Sequence, residues 1–465
     1  MAVDSETLDA FFNPKSIAVI GASRKPGKIG FEILHNLKLS GFEGDVFPIN
    51  PNAKSILGLK TYESVSAASS PIDLAVIAIP AAMVESIVEQ CGKAGVKAIV
   101  IITSGFGEIG ESDLENRIVR KARSFGTRVM GPNTFGVFSA KSKMNCTFGP
   151  HRVLSGKTAF ITQSGALGLA LMSWTTEEKY GVSAIVSIGN KADVDDADLL
   201  EHFANDQNTK SILIYMEGLK DGRKFYNVSK RVSEKKPIVV IKAGRSKSGA
   251  AAVSSHTGAI AGQDRIFDVA FKEAGILRAD TMSQAFDWIQ SINENPIPKG
   301  ENIVIMTNGG GIGVLATDRC ERMGMNLMKI PEDLKSQLST VIPSFGSLRN
   351  PIDMTANADE ETYRKALEVL IEREDVHSII ALFCQTANID PVIVADSLIA
   401  TEGAKTKKPI TSAFVGGYNA NVAYNRMMEK GFASYPTAER AVDGIYPLIF
   451  RMRRMKKTSE GEIQY

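Results

Sequence analysis

The sequence is poor in the features that mark secreted, membrane-spanning or nucleic-acid-binding proteins. Its four cysteines, Cys91, Cys146, Cys320 and Cys384, are scattered over 465 residues with no CxxC pair. That argues against a metal site or a disulfide framework and fits a reducing compartment. No apolar run approaches the ~20 residues needed to cross a bilayer. The segment from Met1 to Pro14 lacks a basic stretch followed by an apolar one, so no signal peptide is expected. Net charge is only +2, from 54 basic and 52 acidic residues, which leaves no electrostatic case for nucleic acid or a membrane surface as partner. The expectation is a soluble, cytoplasmic protein with no metal of its own.

The composition that remains is ordinary: 44% hydrophobic and 23% charged residues. The chain is too long for one core and fits three domains. Apolar runs alternate with helical stretches, which points to an α/β fold built on parallel sheets. The first run, Ser16 to Ile20, leads into Gly21-Ala22-Ser23-Arg24-Lys25-Pro26-Gly27-Lys28-Ile29-Gly30 and a helix from Phe31. Strand, glycine-rich turn and helix form the dinucleotide-binding arrangement, in which the helix N-terminus offers N–H groups to phosphate.

Two features turn this away from a nicotinamide cofactor. The first two glycines stand six positions apart, and the longer loop carries Arg24, Lys25 and Lys28, suiting a ligand richer in phosphate. The second strand ends in Asn50-Pro51, where an NAD site would want a carboxylate for the ribose hydroxyls. Later strand runs end in Ile79-Pro80, in Thr103-Ser104-Gly105 and in Gly131-Pro132-Asn133, residue types expected where strand ends line a ligand crevice.

A second domain is expected after the irregular stretch 139–156. The strand Lys157 to Thr162 runs into Gln163-Ser164-Gly165-Ala166 and an apolar helix. Ser164 is a natural N-cap, and Gly165 lets backbone approach an anion. The strand Ser211 to Met216 ends at Glu217-Gly218, and Pro237 to Lys242 leads into Gly249 to Ala259, a run of small residues around His256. So few bulky anchors give packing little hold on this stretch, which reads as a mobile loop. Alone, the loop allows either an incidental surface histidine or one that carries chemistry. A linker at 295–300 then opens a third domain, where Asn302 to Thr307 leads into Asn308-Gly309-Gly310-Gly311. This repeats the second domain's design, and Thr281 to Asp287 echoes Thr437 to Asp443.

Two glycine-edged helix starts, one carboxylate and one histidine together point to phosphoryl transfer through a phosphohistidine. Neutral imidazole is a nucleophile near pH 7. A carboxylate on one ring nitrogen fixes the tautomer and leaves the other nitrogen free to attack.

The ordered set Gly21-Ala22-Ser23, Lys28-Ile29-Gly30, Ile102 to Phe106, Gly131-Pro132-Asn133, Thr162 to Ala166, Met216-Glu217-Gly218, Ser255 to Ala259 and Thr307 to Gly311 resembles the NDP-forming acyl-CoA synthetase family. The resemblance runs along essentially the whole chain. It implies a Rossmann-like CoA-binding domain over 1–145, a flavodoxin-like domain with the histidine over 146–295, a second flavodoxin-like domain over 301–455, and a tail over 456–465. By the same resemblance His256 is the phosphorylated histidine and Glu217 the carboxylate that orients it. Ser164, Gly165 and Ala166 hold one phosphate, and Asn308, Gly309, Gly310 and Gly311 a second. Coenzyme A lies on Gly21, Ala22, Ser23, Arg24, Lys28, Gly30, Asn50, Pro51, Ile79, Pro80, Thr103, Ser104, Gly105 and Asn133. The implied reaction converts acyl-CoA, phosphate and ADP to acid, CoA and ATP. ADP/ATP and Mg²⁺ are expected on a separate ATP-grasp β subunit in an α2β2 assembly, because no such domain follows residue 455. The competing reading is a CoA-binding regulatory or scaffold protein, against which His256 stands in its full Ser/Thr/Gly context.

Overall fold

A computed structural model describes residues 5–257, 264–405 and 407–461, with side chains for all of these except 5–6, 254–257, 403–405 and 458–461. The chain divides into two compact units, Met1–Ala279 and Asp280–Tyr465.

The first unit carries two large sheets, besides a two-stranded one of Ser55–Ile56 and Leu59–Lys60. In one, five parallel strands lie in the order Asp45–Ile49, Ser16–Ile20, Leu74–Ile77, Ala98–Ile101, Arg128–Met130. Ser16–Ile20, Leu74–Ile77 and Ala98–Ile101 are buried along their whole length, as parallel strands covered by helices on both faces must be. In the other, the parallel order is Val182–Ser187, Ser155–Thr162, Ser211–Met216, Ile238–Lys242, Leu277–Ala279. Each sheet thus puts its first strand between its second and third. Strand order reverses there, and a crevice opens outside the strand ends.

The stretch 139–156, expected to be irregular, instead belongs partly to a hairpin. Gly136–Ser139 pairs antiparallel with Val182–Ser187 and with Met144–Thr147. Its polar residues hid the strand: Asn145 and Thr147 are fully buried and satisfy each other, Thr147 Oγ1 donating to Asn145 Oδ1 at 2.7 Å.

The second unit repeats the design once more, with the parallel order Ile352–Asp353, Ile303–Thr307, Ser378–Cys384, Ile410–Val415, Ser434–Tyr435. Helix Met282–Glu294 belongs to this unit, ahead of the linker from which the sequence opened a third domain. It packs on helix Ala438–Gly461, where Arg440 clamps the buried carboxylate of Asp287 through bonds of 2.7 and 2.8 Å. These are the two echoed segments, and each helix is capped by its threonine, Thr281 or Thr437.

Candidate functional site

At the reversal point of the second sheet, strand Ser155–Thr162 ends in a tightly tied turn. Thr162 Oγ1 donates to the Ser164 carbonyl at 3.0 Å and accepts from the Ser164 N–H at 3.1 Å. Ser164 caps helix Gly165–Glu177, its hydroxyl accepting from Leu167 N–H at 3.3 Å. A Cβ on Gly165 would meet nothing within 4 Å, so the first turn opens onto free space. Early N–H groups of a helix lack intrahelical acceptors, and the macrodipole adds positive potential there.

Beside this turn ends strand Ser211–Met216, followed by Glu217, which is 8% exposed. Ser164 and Glu217, each read from the sequence at the end of a strand, thus share one sheet edge. Sequence reading missed the residue that joins them, Gln163. The Gln163 side-chain oxygen accepts from the N–H groups of Glu217 and Gly218 at 2.9 and 3.0 Å, and its nitrogen donates to the Gly218 carbonyl at 2.9 Å. Two buried lysines were missed as well. Lys191 Nζ donates to the Gly218 carbonyl and to Asp196, and Lys242 Nζ donates to the Glu217 carbonyl at 2.8 Å. Burial pushes the Lys242 ammonium below the usual lysine range, against the raising influence of Asp264 and Glu217. Lysines so far from solvent look like surface residues in a sequence, and only the fold reveals them.

Strand Ile238–Lys242 leads to residues 247–257, expected as a loop and found as helix Lys247–Thr257. Ser246 starts it, its hydroxyl accepting from Gly249 N–H at 3.0 Å, and Ala250, Ala251 and Ala252 favour helix. The backbone of His256 falls in this helix, while its side chain lies outside the described residues, as do residues 258–263.

The first sheet's crevice gathers most of the other predicted residues. Gly21 has φ +89°, and a Cβ there would lie 2.2 Å from the Ala78 carbonyl oxygen. Asn50 Nδ2 donates to the Ala22 carbonyl at 2.7 Å, and Thr103 Oγ1 to the Ile79 carbonyl at 2.7 Å. Asn133 N–H donates to the Thr103 carbonyl at 3.0 Å. Ser23 is half-buried, whereas Arg24, Lys28, Pro51, Pro80 and Ser104 stand exposed around this edge. Helix Ile29–Ser40 begins with no side-chain cap. The Gly105 and Phe106 N–H groups are held by Glu108, at 2.5 and 3.2 Å, and Glu108 accepts from Asn190 at 2.6 Å. Hydrogen bonding from Asn190 and these N–H groups lowers the Glu108 carboxyl below the usual range, outweighing the upward push of burial, its largest single influence.

In the second unit the turn at Thr307 reproduces that at Thr162. Thr307 Oγ1 donates to the Gly309 carbonyl at 3.1 Å and accepts from its N–H at 3.0 Å. Asn308 clamps the end of the neighbouring strand as Gln163 does, accepting from Cys384 N–H at 2.7 Å and donating to its carbonyl at 2.9 Å. Helix Gly310–Arg322 follows, with Gly309 as a cap that offers no side chain. A Cβ on Gly310 would meet Asp353 Oδ2 at 3.1 Å, and one on Gly311 would meet nothing within 4 Å.

Among the described residues no cluster of three or more His, Cys, Asp or Glu is placed to hold a metal, and no helix is long and apolar enough to cross a membrane. His202 stacks on Phe12 at 4.5 Å, and His377 Nδ1 accepts from Asn302 N–H, so both are engaged elsewhere.

Three family descriptions match the chain in succession: a CoA binding domain over residues 15–140, a succinyl-CoA ligase like flavodoxin domain over 155–292, and a ligase-CoA domain over 303–455. The chain is 50% identical to the α subunit of acetate–CoA ligase (ADP-forming) I of Pyrococcus furiosus, across 95% of this chain and 97% of that one. It is 36% identical to the 4-hydroxybutyrate–CoA ligase (ADP-forming) of Nitrosopumilus maritimus, across 97% of this chain and 65% of that one. A solved structure of the dinucleotide-forming acetyl-coenzyme A synthetase 1 of Candidatus Korarchaeum cryptofilum, in complex with phosphate and ADP, superposes with a TM-score of 0.95. It is 46% identical and covers 98% of each chain.

Proposed function

This chain belongs to the family of ADP-forming acetate–CoA ligase α subunits, and on that premise we propose that it makes ATP from an acyl-CoA, acetyl-CoA first, through a phosphohistidine at His256. The observation that carries the reading is the joint made by Gln163, which ties the Ser164-capped helix start to a buried carboxylate at the ends of adjacent strands.

Coenzyme A lies along the first sheet's crevice. Its phosphates face Gly21 to Gly30, with Arg24, Lys25 and Lys28 supplying positive charge, and its acyl thioester reaches the second sheet's edge. Phosphate held at Ser164, Gly165 and Ala166 attacks the acyl carbonyl. CoA leaves as thiolate, and an acyl phosphate forms. The neutral imidazole of His256 takes the phosphoryl group, and the carboxylic acid departs. Glu217, accepting from the other ring nitrogen, holds the attacking tautomer and stabilises the cation that forms. Asn308 to Gly311 form the second phosphate station, from which the phosphoryl group passes to ADP. Carriage between stations requires the His256 segment to move, as catalytic loops do.

ADP and Mg²⁺ belong on an ATP-grasp partner subunit, in an α2β2 complex in the cytoplasm, and no step assigned to this chain runs through the metal. The subunit naming of the Pyrococcus relative supports a partner. The test is labelling of the complex with radioactive phosphate and acetyl-CoA in the absence of ADP. Acid-labile, base-stable label is expected, lost in His256→Ala. Label retained by that variant overturns the assignment, and sustained ATP synthesis by the isolated chain overturns the need for a partner.

A further inference from the structure

Every backbone polar group of the Glu217–Gly218 turn is held by a side chain. Gln163 takes both N–H groups through one oxygen and also donates to the Gly218 carbonyl. Lys191 donates to the same carbonyl at 2.6 Å, and Lys242 to the Glu217 carbonyl. Turns are ordinarily satisfied by water or by neighbouring backbone, and this one is enclosed.

The arrangement is costly. Lys191 and Lys242 are each only 7% exposed, and Asp196, the partner of Lys191, is 2% exposed. Asp196 also accepts from Gln163 Nε2 at 3.1 Å, so the two holders of the turn share one carboxylate. Buried ion pairs seldom outperform apolar side chains of the same volume in stability. The backbone at Lys191 is left-handed, φ +54°, which a lysine rarely adopts. What such an arrangement supplies is position. The corresponding turn in the second unit is held more simply: Asn308 clamps Cys384, and the residue that follows is Gln385 in place of a carboxylate.

We propose that Gln163 and Lys191 are positioning residues for phosphoryl transfer, fixing the Glu217 carboxylate at one place relative to the phosphate turn at Ser164. The inference rests on the proposed roles of Glu217 and His256. A carboxylate at the end of a strand would otherwise shift with its turn, and misplacement by about 1 Å can cost about 100-fold in rate. Because Asn190, next in the chain, is bonded to Glu108 and Glu115, the same support is braced against the loop at Gly105–Phe106.

The experiment is rapid-quench phosphorylation of the complex with its partner subunit, using acetyl-CoA and labelled phosphate without ADP, reading rate constant and amplitude separately. Gln163→Asn keeps the amide and shortens its reach. Its expected rate constant is about 100-fold lower, with the amplitude and the KM for CoA unchanged. Gln163→Glu keeps an acceptor for both N–H groups but sets an oxygen in place of the donor against Asp196 and the Gly218 carbonyl, and is expected to be at least as slow as Gln163→Asn. Lys191→Arg, which retains the charge, gives a second, milder displacement in the same direction. An unchanged rate constant in all three variants overturns the proposal, as does a reduced amplitude at an unchanged rate constant, which marks a purely structural role. Glu217→Gln run alongside separates the two readings: a normal rate there refutes the role of Glu217 itself, whereas a slow Glu217→Gln beside normal Gln163 variants refutes only the positioning.

Discussion

A Cβ placed on Gly30 would lie 2.1 Å from the carbonyl oxygen of Gly21. The first turn of helix Ile29–Ser40 therefore rests backbone to backbone on the residue that follows strand Ser16–Ile20, and no side chain larger than hydrogen fits between them. That contact sets how closely the helix start approaches anything lying in the crevice.

Gly30→Ala is accordingly expected to push the helix off the Gly21 turn, because the atom in the way is backbone and cannot swing aside. Overpacking of this kind costs about 1–3 kcal/mol. The KM for CoA is expected to rise in step with a lowered melting temperature, both measured on the same preparation. Wild-type values of both refute the contact's importance.

Glu217→Gln keeps the volume and the turn but replaces the acceptor that, in the proposed mechanism, selects the imidazole tautomer. By analogy with the amide substitution of a triad aspartate, kcat is expected to fall by about 10⁴-fold. KM for CoA should hold, since the first sheet's crevice is untouched. Turnover within a few-fold of wild type removes Glu217 from the mechanism.

Asp193 joins the two large sheets of the first unit. Its fully buried carboxylate accepts from Arg123, from Arg128 Nε at 2.9 Å and from Val129 N–H at 2.8 Å. Asp193→Ala leaves the Arg128 guanidinium, itself 16% exposed, without this partner beside Asp198. Loss of one member of a buried pair typically costs about 3–5 kcal/mol. Denaturant unfolding followed by fluorescence is the check, and a change under about 1 kcal/mol contradicts the buried-pair argument.

Burial pushes the His202 imidazole below its ordinary value of 6.5, with Asp9 and Asp206 acting against the shift and Lys141 and Lys236 with it. The unfolded chain therefore takes up this proton first as pH falls. The associated stability is complete above 6.5 and is lost as the pH drops through the folded value. His202→Phe, which keeps the stack on Phe12, is expected to flatten the fall in melting temperature between about pH 7 and pH 5. An unaltered pH slope excludes His202 as its source.

The strands were legible because buried parallel strands are continuous apolar runs. Ser16 to Ile20 and Ser211 to Met216 have the same limits in sequence and structure. The turns after them were legible because glycine and a capping serine answer local demands, a left-handed φ at Gly21 and a helix start at Ser164. The helix at Lys247–Thr257 was not, because a missing apolar face was read as missing structure, whereas alanines and a cap suffice.

The sequence by itself determined three rounds of strand, glycine turn and helix, and hence which residues would stand at strand ends, since those choices depend on near neighbours in the chain. Only the tertiary structure decided what meets across the strand ends: Gln163 on the Glu217 turn, Lys191 on Asp196, Asn190 on Glu108. Those partners lie far apart in the chain or have the look of surface residues. A buried charge becomes tolerable only once folding brings its partner within hydrogen-bond reach.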